Sequence, residues 1–267
     1  MTVPKSVRQD KPELNEWVLL EGYRGSISHG TYMPGKDTID DKDIMTIIVP
    51  PLEYYFGLSK FGSKGTKEIK IDEWDIVIYE FLKFVYLLEK GNPNVLAMLW
   101  LEPNYYTKIT DGGKYLIDNR HLFVGKHVYR SFSGYAYGQL KRMTRGNDNS
   151  AYQGEKRRKL FEKFGYDCKN AAHLIRLLRM GIEFLTDGQL YVHRHDAPQL
   201  IQIKQGEWSL EQVNNEADKL FERAELAYIN STLPLEPNRD EINNLCINII
   251  GNSSSFSLLD FIRMKDR

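Results

Sequence analysis

Apolar residues change their spacing midway along the chain. Up to about Trp100 they fall in short runs broken by Gly and Pro, and from about Ser131 they recur at helical spacing. Trp17 to Leu20 reads as a short buried strand that runs into a turn at Gly22 to Ser26. Asp43 to Val49 (DIMTIIV) reads as a second strand, stopped by Pro50 and Pro51. The stretch from Gly57 to Lys67 holds three glycines and three lysines and reads as a loop, followed by a third strand over Ile69 to Tyr79. Glu80 to Lys90 carries an apolar helical stripe, Gly91 suits the C′ position, and Asn92-Pro93 opens a further helix. In the second half, Tyr166 to Thr186 predicts an amphipathic helix. Ser209 to Gln212 fits a capping box before a helix through about Tyr228, and another helix is expected over Asp240 to Ile250.

These elements predict an α+β protein in two parts: a mixed-sheet core over residues 1–125 and a helical domain over 126–267. At 267 residues, with 42% hydrophobic and 27% charged positions, the chain can bury a core without staples, and disorder is disfavoured. Lys plus Arg and Asp plus Glu are 36 each. A general cationic coat for nucleic acid or anionic lipid is thereby excluded, though a local basic patch is not. Cys168 and Cys246 alone make neither a disulfide framework nor a cysteine-rich zinc site, and they have no His or Asp context that marks a nucleophile. The polar N-terminus lacks a signal-peptide core, and the most apolar stretch, around Leu174 to Leu185, is broken by Arg176, Arg179 and Glu183. A cytoplasmic protein with no membrane span is expected.

Candidate chemistry lies in the first half. Asp41 and Asp43 are two apart at the mouth of the strand DIMTIIV, so their side chains share a face, roughly 6.5 Å apart. Two carboxylates so placed repel each other unless a divalent cation sits beside them, and magnesium favours one or two carboxylates completed by phosphate oxygens. Acids at strand starts are also commonly solvated turn residues. Asp75 sharpens the pattern, because it lies among Trp74, Ile76, Val77 and Ile78, and a charge there needs a partner. The segment TIDDKD also offers Asp40 and Asp37 as alternatives to Asp41. Upstream, Gly25-Ser26 follows a strand, where backbone N–H groups and a hydroxyl can approach a phosphate.

Strand, Gly-Ser, spacer, Asp-x-Asp and a later acid on a strand together resemble the DNA polymerase β-like nucleotidyltransferase superfamily. The strings GSISHGTYMPGKDTIDDKDIM, PPLEYYFGL, DIVIYEFLKFVYLLEKGNPNVLAMLW and GYDCKNAAHLIRLLRMGIEFL are similar to a predicted nucleotidyltransferase family of bacteria and phages, some members of which are linked to RNA repair. The resemblance covers roughly Glu21 to Pro234. It implies that Gly25 and Ser26 hold nucleotide phosphates, and that Asp41, Asp43 and Asp75 form the catalytic and metal-binding acids. It further implies two Mg²⁺ ions, an NTP substrate and an RNA or tRNA end as acceptor. Lys42 departs from the superfamily's usual apolar residue between the first two acids. The same site acting on a protein or small molecule, or a degenerate site serving as a binding module, are the competing implications.

Two basic features remain. On a helical wheel Lys169, His173, Arg176 and Met180 fall within about 60°, opposite Leu174, Ile175, Leu178 and Ile182. This is either a solvated face or a cationic face over phosphates, and His29, three residues after Ser26, is a further candidate for nucleotide contact or for capping the turn. Lys141 to Lys159 holds seven Lys and Arg against two acids. Lys141, Arg142, Arg145, Arg157 and Arg158 therefore read either as a solvated loop or as a nucleic-acid footprint with Tyr152 for stacking. His193 and His195 flank Arg194 in what reads as a solvated turn.

Overall fold

The structure is a computed structural model, and it describes residues 8–9, 11–34, 40–144 and 155–253, with the side chains of 155–159 left undescribed. Five strands form one mixed sheet: β1 (Val18–Tyr23), β2 (Lys42–Ile48), β3 (Thr66–Ile71), β4 (Trp74–Glu80) and β5 (Tyr106–Ile109). Their spatial order is β3-β4-β2-β1-β5. β2 and β4 are parallel, and the other neighbours are antiparallel. The described helices are α1 (Gly25–Ser28), α2 (Glu53–Phe56), α3 (Phe81–Glu89), α4 (Pro93–Leu96), α5 (Asp111–Asp118), α6 (Val128–Thr144), α7 (Glu155–Phe164), α8 (Cys168–Asp187), α9 (Ala197–Lys204), α10 (Leu210–Asn230) and α11 (Arg239–Ser253). The α+β class is as the sequence predicts.

The run from Ile69 to Tyr79 is two strands rather than one. Asp72 takes φ 53° and Asp72-Glu73 folds the chain back, so β3 pairs with β4 in a tight hairpin. The left-handed conformation is one that Asp tolerates better than most side chains, and no Gly marks this turn. β3 also claims Thr66 and Lys67 from the predicted loop, and the short β5 edge strand carries no strong apolar pattern. Elsewhere local signals act as expected. Asn92 caps α4 through Asn94 N–H, Ser209 and Gln212 form a capping box, and Asp167 caps α8 at Asn170 N–H.

Alternation along the strands separates two faces. Ile44, Ile48, Trp74, Ile76 and Ile78 pack on the far side with Leu14 and Tyr23. Met45, Ile47 and Val77 point the other way, into a cluster that continues through Phe84, Met98 and Phe132 to Leu174, Phe184 and Leu220. The sheet and the helical half thus share one continuous core. α8 sits at its centre against α6, α9 and α10. It is held laterally by Arg179, which bonds Asp196, Gln199 and Glu216, and by buried Arg194, which pairs with Glu183 and Asp196. Among the described residues no helix is long and apolar enough to cross a membrane.

Candidate nucleotidyl-transfer site

Parallel pairing of β2 and β4 places Asp43 directly opposite Asp75. Both lie at the beginnings of their strands, and period-2 alternation puts Asp43 in phase with Met45 and Asp75 in phase with Val77, on the face that meets the helices. Asp75 is half-buried beside the hairpin turn rather than enclosed on both faces. The Asp43 carboxyl is pushed up to about 6, chiefly by burial and further by Asp75 and Asp41, against the opposing pull of Arg24 and Lys169. Asp41 precedes β2 and is exposed. Among the described residues no three His, Cys, Asp or Glu form a ready metal cluster. Asp43 and Asp75, with Asp41 at the strand mouth, are carboxylates of the kind that suit a magnesium ion completed by phosphate and water.

The turn after β1 is built around Asp43. Arg24 N–H donates to the Asp43 backbone carbonyl at 3.0 Å, and Gly25 follows with φ 65°. A Cβ on Gly25 would stand 2.3 Å from Asp43 Oδ2, so only glycine lets the turn lie this close to the acid. Gly25, Ser26, Asp43 and His29 line a cavity of about 370 Å³ together with Arg142, Lys169, His173 and Arg176. The spacing of the last three on α8 thus faces this cavity, not bulk solvent. Arg176 is only 7% exposed. Its guanidinium donates to Met180 Sδ at 3.3 Å, and among the described residues no carboxylate is bonded to it. Burial, reinforced by Arg194, lowers its pKa to about 10. A buried cation so poorly neutralised favours an anionic ligand.

His29 is buried and neutral. Its Nδ1–H donates to the Val192 carbonyl at 2.9 Å, and burial, with Arg176 next, holds the imidazole well below its usual range. His193 stacks on Tyr105 with centroids 5.7 Å apart, and its Nδ1 lies 2.9 Å from the Tyr105 hydroxyl. Asp40, the alternative to Asp41, is fully buried and bound by Lys204 and Lys169, with Met33 N–H donating to it. It is an internal counter-ion of α8 and α9, and Asp37 lies outside the described residues. Lys42 bonds Glu73 at 2.5 Å and lies 5.2 Å from the Trp74 ring centre, pointing away from the acids.

Lys141 and Arg142 lie at the exposed end of α6, Lys141 over the Tyr137 ring at 4.5 Å. Arg145 and Tyr152 lie outside the described residues, and Arg157 and Arg158 belong to α7. Sequence reasoning missed Arg24, and also the wall of Asn94, Tyr135 and Gln139. Tyr135, Gln139 and Arg142 recur at i, i+4 and i+7, a spacing that could have marked one helix face.

A mixed sheet carrying a Gly-Ser turn and paired strand acids, roofed by a cationic helix, defines a polymerase β-like nucleotidyltransferase. The profile of the RNA repair pathway DNA polymerase beta family matches residues 6–248, and the chain belongs to that family. A nucleotidyltransferase-like protein from Exiguobacterium sibiricum 255-15, of known crystal structure, is 12% identical over 98% of this chain and 79% of that one, with a TM-score of 0.29. No curated protein matches.

Proposed function

We propose that this chain transfers a nucleoside monophosphate from an NTP to a hydroxyl at an RNA or tRNA end, with a divalent metal held by Asp43 and Asp75. The observation that carries the reading is the single cavity lined by Asp43 and Gly25-Ser26 on one side and by Lys169, His173 and Arg176 on the other. Family membership supports RNA as the acceptor.

In this reading Gly25 N–H and Ser26 Oγ hold phosphate oxygens where no side chain intervenes. Lys169, His173 and Arg176 neutralise the remaining charge in a recessed site, where such contacts are stronger than in open water. When bound, magnesium supplies Lewis acidity toward the phosphate and acidifies the attacking hydroxyl. Asp75, opposite Asp43 on the neighbouring strand, accepts the hydroxyl proton at its carboxylate. A bond forms from that oxygen to the α-phosphorus as the bond to pyrophosphate breaks, and pyrophosphate leaves along the cationic wall. Asp41, exposed and near enough to raise the Asp43 pKa, acts on the same charge cluster from the rim. Lys141 and Arg142 lead the acceptor backbone to the cavity, with Arg145, Arg157 and Arg158 on the same basic segment.

The test is incubation with Mg²⁺, each α-labelled NTP in turn, and a pool of tRNA and short RNA, read on a denaturing gel. Label entering RNA and lost in Asp43→Asn supports the reading. Label on protein moves the acceptor to a side chain. No label, with no thermal shift by any NTP, overturns it in favour of a binding module.

A further inference from the structure

Arg24 occupies the space between the two acids. One terminal nitrogen, Nη2, lies 3.3 Å from Asp75 Oδ1 and 3.7 Å from Asp43 Oδ1. We propose that Arg24 is the resident counter-cation of this acid pair, displaced when a metal-bound nucleotide arrives, so that the divalent ion enters with the triphosphate rather than ahead of it. The proposal rests on the reading of Asp43 and Asp75 as metal ligands.

In-register carboxylates on adjacent strands stand roughly 5 Å apart and repel each other. Something positive must hold them, and the chain supplies it from the residue next to the phosphate-binding turn. Lys70 adds a second cation to Asp75 at 3.3 Å, but its side chain is 70% exposed and weakly held. The Arg24 contact is itself incomplete. A guanidinium bound to stay uses its planar fork, two parallel bonds to one carboxylate. Here one nitrogen serves two acids at long range. The buried Nε has no hydrogen-bond partner among the described residues. Charge and one long hydrogen bond to Asp75, not a full set of bonds, keep the side chain in place, so a divalent ion can replace it at small cost.

Arg24 also has somewhere to go. It lines the same cavity as Lys169, His173 and Arg176. Its backbone is fixed by the bond to the Asp43 carbonyl, so only the side chain has to swing, from carboxylates to incoming phosphates. The same charge that blocks a free ion then adds to triphosphate binding. Metal and nucleotide favour each other through this residue, and the coupling is reciprocal.

Mn²⁺ binding by calorimetry, without nucleotide and then with α,β-methylene ATP, tests this in wild type, Arg24→Gln and Arg24→Lys. Arg24→Gln is expected to bind Mn²⁺ alone about tenfold or more tighter than wild type, because a nearby positive charge has been removed. Arg24→Lys, which keeps the charge, is expected to stay near wild type. The analogue is expected to tighten Mn²⁺ binding more in wild type than in Arg24→Gln. Equal Mn²⁺ affinity in wild type and Arg24→Gln, with binding still lost in Asp43→Asn, overturns the role of Arg24 alone. Mn²⁺ binding that survives Asp43→Asn with Asp75→Asn, or that is absent from wild type and Arg24→Gln alike, overturns the metal-ligand reading and this proposal with it.

Discussion

Gly25 answers to two demands that no other residue meets. Its φ of 65° disfavours any L side chain, and its Cα faces the Asp43 carboxylate so closely that a methyl would displace it. Gly25→Ala is expected to cost about 1–2 kcal/mol in denaturant unfolding. It is also expected to lower transfer far more than stability, since the atom that must move is a carboxylate oxygen of the site. Transfer at the wild-type rate in a folded Gly25→Ala protein would contradict the placement of Asp43. His29 makes a different prediction. Its imidazole is neutral in the fold, while the unfolded chain takes up a proton near ~6.5. The unfolded state therefore binds more protons below that value, and stability falls as pH drops through it. His29→Gln keeps a donor for Val192 and removes the titration, so its melting temperature should fall less than wild type between pH of about 7.5 and 5. Asp43 works with the opposite sign, its contribution present below the unfolded value and lost as pH rises through about 6. The comparison is cleanest with Asp43→Asn in both proteins.

At the level of elements, α8 is where stability and function pull apart. A helix at the centre of a core should be apolar all round, yet α8 buries Arg176 beside a cavity without a bonded carboxylate. Such a charge is costly unless a ligand neutralises it. Arg176→Met has similar length and no charge. It is expected to raise the melting temperature of the ligand-free protein and to raise the KM for NTP by about tenfold or more, the loss of one charge-assisted contact. A melting temperature that falls while KM stays fixed would make Arg176 structural. The β3/β4 hairpin has a comparable division of labour: the Asp72 turn costs local strain, and in return sets the register that puts Lys70 opposite Asp75.

For the whole molecule, two of the polar pins that tie the segments flanking β1 and β2 to the helical half lie beside the cavity. One is His29 with Val192, backed by Arg194 N–H to the His29 carbonyl at 3.3 Å. The other is Asp40, buried between Lys169 and Lys204. Removing Asp40 strands a lysine that is only 5% exposed. Asp40→Ala is expected to cost about 3–5 kcal/mol by chemical denaturation, whereas Asp43→Asn should leave stability unchanged or higher. Opposite effects at two acids three positions apart would separate the structural one from the functional one. The shared core predicts that thermal unfolding, followed by near-UV and far-UV signals, is a single transition for both halves. Two resolved transitions would show that the halves are energetically independent.

The sequence by itself determined the α+β class, the caps at Asn92 and Ser209, the Gly-Ser turn, the acid-bearing strands and the cationic stripe on α8. Each of these is a local matter of periodicity, capping chemistry or residue type, readable within a window of a few residues. Tertiary structure alone decided where each of the clustered acids goes. Asp40, Asp41 and Asp43 are alike in sequence, but one is buried against two lysines, one is exposed at the strand mouth, and one faces the cavity. The partners of Asp40 lie more than a hundred residues away, on α8 and α9, and the acid opposite Asp43 lies on another strand. Arg24 was invisible for the same reason, since its meaning comes from the pairing of two strands that lie far apart in the chain. Long-range register and desolvation, which no local pattern encodes, turn a set of compatible residues into one site.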